Sequence, residues 1–149
     1  MESNYEINNG TLALIPISDK VTKVIESENS FFIACSVNKI IDTSCRAFGS
    51  SYLGRSEGTK SLLGINYKAP IIISEIKNII FFPTSSPRGE NCCWISLNNI
   101  QNYKKLDKST IINFINNKEL QLDISSFVIE NQIFKATMLE SKLRKLNLT

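Results

Sequence analysis

Two uninterrupted apolar runs stand close together near the middle of the chain, Ile71-Ile72-Ile73 and Ile79-Ile80-Phe81-Phe82. A strand with one wet face alternates apolar and polar residues, whereas a strand covered on both faces does not. The polar turn through Lys77-Asn78 joins the two runs into a central hairpin buried on both faces. Ala69-Pro70 imposes an extended approach, because proline disfavours helical backbone in the residue before it. Cys92–Leu97 reads as a further strand, and vicinal Cys92 and Cys93 then point to opposite faces of it. Trp94, the single tryptophan, has apolar neighbours and reads as a core anchor in preference to a ring that stacks on bases.

Strand signals recur on either side. Tyr5–Asn8 and Thr11–Ile15 flank Asn9-Gly10, a pair suited to a type I′ turn, and predict a hairpin. Val21–Ile25 and Phe31–Ala34 predict a second strand pair, although Val21–Glu26 also fits a helical turn. Thr110–Ile115 and Glu119–Ile124 predict a third hairpin around Asn116-Asn117-Lys118. Asn98–Ser109 is polar and basic, with Lys104, Lys105 and Lys108. Lys39–Phe48 and Gly54–Leu63 predict helices, the first ended by Gly49. Ser125 or Ser126 caps a last helix that runs to about Asn147, with Val128, Ile129, Ile133, Ala136, Leu139, Leu143 and Leu146 along one broad side. Phe127, Phe134 and Met138 form a smaller apolar patch elsewhere around it, a candidate oligomer interface. At 149 residues and 42% hydrophobic, the chain suffices for one packed domain, 1–149. The expectation is an α+β fold rich in antiparallel hairpins, with one or two short helices in the central glycine-rich region and a C-terminal helix.

That region, Ile40–Ile65, holds four of the six glycines, at Gly49, Gly54, Gly58 and Gly64. Arg46, Arg55 and Lys60 lie among them, with Ser50, Ser51, Ser56 and Thr59. Glycine lets backbone amides approach a ligand closely, and basic side chains beside such amides make an anion-binding surface. Two readings stand: a contact point for a phosphate-bearing partner, or a turn-rich connector whose charges are merely solvated. On the first reading the candidate contacts are Arg46, Ser50, Ser51, Arg55, Thr59, Lys60, Lys68 and Arg88, with Lys39 beside them.

Catalysis is poorly supplied. The chain has no histidine, which removes the usual general base near neutral pH and histidine metal sites. Cys35, Cys45, Cys92 and Cys93 contain no C-x-x-C and read as reduced, buried thiols without a structural zinc or other cofactor. Gly49–Ser56 has P-loop spacing with Arg55 in place of the lysine, but no buried strand precedes it and no strand-end aspartate follows to hold magnesium. Asp42 and Glu57 are better placed to neutralise Arg46 and Arg55 than to bind metal. A net charge of +3, with the basic excess after residue 70, is only mildly basic. MESNYEINNG lacks the basic and apolar segments of a signal peptide, so a cytoplasmic protein is expected.

Five segments in order, SCRAFGSSYLGRSEGT, KAPIIIS, FFPTSS, CCWISLNNI and IENQIF, resemble the ComK family of bacterial competence transcription factors. The likeness runs from Asn4 to about Leu139, and its FGSSYxGRxxGT element is specific. It implies a sequence-specific DNA-binding activator of DNA-uptake genes, acting on paired A/T-rich boxes largely through the minor groove. It also implies assembly as dimers and an adaptor that delivers the protein to a protease. Family members usually continue beyond the last helix with a segment implicated in adaptor binding and assembly, which puts those two properties in question. Cys92-Cys93-Trp94-Ile95-Ser96 stands where the family has C-G-W-I-S, a swap of little cost. Two alternatives stay open: a homologue that no longer binds DNA and modulates a full-length partner, and a phosphate-ligand enzyme or sensor.

Overall fold

The double-sided apolar runs become adjacent strands of a six-stranded antiparallel sheet in the computed structural model, which describes residues 1–147. Its strands are β1 (Thr11–Pro16), β2 (Thr22–Glu26), β3 (Ser30–Ile33), β4 (Ile71–Ser74), β5 (Ile79–Pro83) and β6 (Trp94–Ser96), in the order β3-β2-β1-β6-β5-β4. Between β3 and β4 run two helices, α1 (Val37–Ala47) and α2 (Tyr52–Leu63). A 3₁₀ turn at Leu97–Asn99 leads from β6 into a three-stranded sheet, β7 (Ile100–Leu106), β8 (Ser109–Phe114) and β9 (Glu119–Leu122). Helix α3 (Ser126–Asn147) closes the fold, with the Ser125 hydroxyl accepting the Val128 amide at 3.3 Å.

The large sheet is the middle layer. Leu14, Val24, Ile71, Ile73, Phe81, Cys92 and Trp94 pack on α1. Their neighbours Ala13, Ile25, Ile72, Phe82, Cys93 and Ile95 face the small sheet and α3. Successive residues thus enter opposite cores, as the period of a strand requires. This is why the runs at 71–73 and 79–82 show no polar alternation, and why Cys92 and Cys93 part company. Trp94 is fully buried, as its neighbours predicted, and Tyr52 meets it edge-on at 6.0 Å. Each large side chain so enclosed contributes about 1.5–3 kcal/mol of transfer free energy.

The first predicted hairpin does not form. Asn9-Gly10 does turn, but the Asn8 side chain accepts the Gly10 amide, and the Asn8 amide is held by the Thr11 hydroxyl. The Ile7 amide goes to the Ser44 hydroxyl on α1, so β1 pairs with β2 and β6 instead of with residues 5–8. β2 and β3 resolve the ambiguity at Val21–Glu26 in favour of a strand. β7 arises in the polar run that carried no strand signal; it edges the small sheet with Lys104 and Lys105 exposed, a device that discourages further pairing.

Candidate nucleic-acid interface

The conspicuous local structure is the corner between α1 and α2. Helix α1 ends because Gly49 takes φ +87°, a conformation costly for any residue with a Cβ. The Gly49 amide then bonds the Arg46 carbonyl, and the Ser50 amide bonds the Cys45 carbonyl, which together form a Schellman closure. The Ser51 hydroxyl caps α2 by accepting the Gly54 amide at 3.0 Å. At Gly54 a Cβ would sit 3.1 Å from the Ser50 hydroxyl and 3.3 Å from the Ser51 hydroxyl, so glycine makes room for both oxygens.

Asp42 ties the corner together. One carboxylate oxygen accepts the Arg46 Nε at 2.8 Å, and the other accepts the Tyr52 amide at 2.9 Å. The Arg46 guanidinium, and after it the Tyr52 amide, hold the Asp42 carboxyl below the usual carboxylate range. Arg46 is therefore paired, yet its side chain stays 65% exposed and able to meet a partner. The expectation that Asp42 would neutralise Arg46 holds, whereas Glu57 lies exposed and forms no ion pair with Arg55 among the described residues. Arg55 is half-buried, with its Nε enclosed and without a hydrogen-bond partner. Its charge reaches the Cys45 thiol, which burial pushes up to about 11 while the Arg55 charge opposes the rise.

The remaining candidates are spread more widely. Thr59 is 1% exposed and faces the interior, so it does not reach the surface. Lys60 is half-buried near the end of α2, where its carbonyl accepts the amide of Gly64. Gly58 faces open space on the outer side of α2. Arg88 lies on a loop held to the first turn of α1, the end away from the corner, where the Asn38 side chain donates to the Pro87 carbonyl; its charge still reaches the Tyr52 phenol. That phenol is raised chiefly by burial, against a hydrogen bond with Ser56 and the Arg88 charge. Arg88 also rims an open cleft beside the first turn of α1.

Lys68 joins a separate group. It takes φ +50° and lies over the Tyr67 ring at 5.8 Å, while Lys135 from α3 lies over the same ring at 4.8 Å. Neither Tyr67 nor Lys135 stood out in the sequence. Tyr67 could have been noticed as an aromatic beside Lys68, but Lys135 sits between core positions of α3 and carries no local signal. The P-loop spacing fails in three dimensions as well, because the element before Gly49 is helix α1. Among the described residues no group of three or more Cys, Asp or Glu side chains comes together as a metal site.

A family model described as "ComK protein" matches residues 2–147. A protein of Bacillus subtilis (strain 168) named "Competence transcription factor" is 36% identical over 145 residues, covering 95% of this chain and 76% of the relative. The chain belongs to the ComK family. No solved structure matches it.

Proposed function

We propose that this chain is a competence transcription regulator that binds duplex DNA at A/T-rich boxes, largely through the minor groove. The observation that carries this reading is similarity along nearly the whole chain to a protein named a competence transcription factor. The α1–α2 corner supports the DNA contact: Arg46 is exposed, Arg55 has no carboxylate partner among the described residues, and Ser50 and Ser51 lie between them, while exposed Arg88 would contribute from the other end of α1. Guanidinium groups on the two helices that flank a tight turn suit the minor groove, whose width and A·T pattern they can read. Lys60 and Lys68 contribute phosphate contacts, and Thr59 does not take part. The protein acts as a binder and not as an enzyme, and works in the cytoplasm where its DNA lies. Gel shift on an A/T-box duplex tests the assignment. Arg46→Ala and Arg55→Ala should each weaken binding by about 1–3 kcal/mol, and Arg55→Ala should also relax the box preference. Wild-type affinity in both variants would refute the corner as the contact.

A second reading is favoured by the outer side of α3. Phe127, Phe134 and Met138 are 74%, 57% and 50% exposed, at helical spacing along one stripe. A homodimer, or a pairing with a longer relative that it modulates, would cover them. Sedimentation of wild type against Phe134→Asp decides: loss of the dimer supports pairing through α3, and an unchanged mass rejects it.

A further inference from the structure

The Tyr67 ring carries two ammonium groups and, among the described residues, no carboxylate pairs with them. Lys135 Nζ lies 4.8 Å from the ring centroid and also reaches the Tyr67 carbonyl at 3.5 Å, while Lys68 Nζ lies 5.8 Å from the centroid. Among the described residues neither lysine has an acidic partner within ion-pair distance. The ring face is a weak counter-charge for a cation, worth about 0.5–1 kcal/mol when exposed. Two like charges held against it therefore leave an unmet demand for an anion. The lowered basicity of Lys135 agrees, since burial and then the Lys68 charge both disfavour its ammonium form.

The pairing is built by the fold and does not come from two lysines drifting together. Gln132, fully buried on α3, donates from Nε2 to the Lys68 carbonyl at 2.9 Å and to the Pro83 carbonyl at 2.8 Å. It pins residue 68 between α3 and the end of β5, and Lys135 follows one turn later on the same helix. The left-handed backbone at Lys68 keeps that carbonyl turned towards Gln132 while its side chain lies over the ring. The Lys68 charge also reaches Cys92, which lines the same cleft as Arg88.

We propose that Lys68 and Lys135, gathered at the Tyr67 ring, form a clamp for one backbone phosphate of duplex DNA, with Gln132 as the residue that positions it. The proposal rests on the DNA-binding reading and adds a contact that α3 supplies. Two lysines on one phosphate are coupled, whereas two independent lysines would each remove a contact.

The test is equilibrium binding to an A/T-rich duplex over a salt series, for wild type, Lys135→Gln, Lys68→Gly and the double variant, with circular dichroism melts as the folding control. Glycine at 68 keeps the left-handed backbone without strain. Each single variant should bind several-fold more weakly at low salt, and the double variant should lower the salt slope by about one contact in total. Tyr67→Phe should bind like wild type and Tyr67→Ala should not. A double variant that loses about two contacts, or variants that match wild type, would overturn the clamp while leaving the DNA reading intact. A wild-type protein that shows no salt-dependent binding would fell both. Saturation by inorganic phosphate alone, abolished in Lys135→Gln, would overturn the assignment to DNA.

Discussion

The α1–α2 corner and the Tyr67 site present cations in opposite ways. The corner is continuous in sequence: Asp42, Arg46, Ser50, Ser51 and Arg55 fall within fourteen residues, and local caps set their geometry. One of its arginines is held by a carboxylate, which fixes its direction and leaves it exposed. The Tyr67 site joins a loop to a helix more than sixty residues away through one buried glutamine, and among the described residues it has no acid to balance it. Local closure makes the first robust, whereas tertiary packing makes the second dependent on a few hydrogen bonds. The two sites should therefore fail differently when single residues are changed.

The sharpest break is expected at Gln132. Gln132→Ala leaves the carbonyls of Lys68 and Pro83 without their partner, at a cost of about 1–3 kcal/mol for each group left unpaired. A thermal melt checks the loss, and the same variant should bind DNA like Lys135→Gln if the Tyr67 site is a contact. At the corner, Gly49→Ala meets no clash but must adopt φ +87°, costing about 1–2 kcal/mol in a denaturant titration. Gly58→Ala has the opposite sign. Its Cβ enters open space in the middle of α2, so the variant should be more stable by about 0.5–1 kcal/mol.

The smallest effect concerns pH. The folded Asp42 carboxyl titrates below its unfolded value of about 3.9, so the stability it lends is complete above that value. It is lost as pH falls through the lower folded value. The group is partly exposed, so the contribution is modest. Asp42→Asn should unfold with a shallower loss of stability below about pH 4 than wild type, measured by chemical denaturation across the acid range. Equal slopes would show that the carboxylate does not tie the corner.

Much of this architecture is written in short-range pattern. Ile71–Ile73 and Ile79–Phe82 announce a middle layer because no residue in them can face water. Gly49, Ser51 and Ser125 mark helix ends through chemistry confined to neighbouring residues. The α3 stripe of Phe127, Phe134 and Met138 also follows from helical spacing. Other features depend on competition that no local pattern records. Asn9-Gly10 signals a hairpin, but the Ser44 hydroxyl on α1 captures the Ile7 amide that the hairpin would need. β7 is an edge strand with few apolar residues, so it lacks the periodicity that marks inner strands. Thr59 looks available among serines and glycines, yet α2 turns it inward. Lys135 acquires its neighbours only when Gln132 anchors the 64–70 loop to α3.

The DNA-binding proposal has the basic side chains of this fold meet the phosphates and minor groove of A/T-rich duplex DNA. Its most direct test is the equilibrium affinity of the wild-type protein for matched A/T-box and G·C duplexes across a salt series. The wild-type protein should bind the A/T box more tightly at every salt concentration, with log affinity falling linearly as log salt rises. Equal affinity for the two duplexes, or binding indifferent to salt, would contradict it.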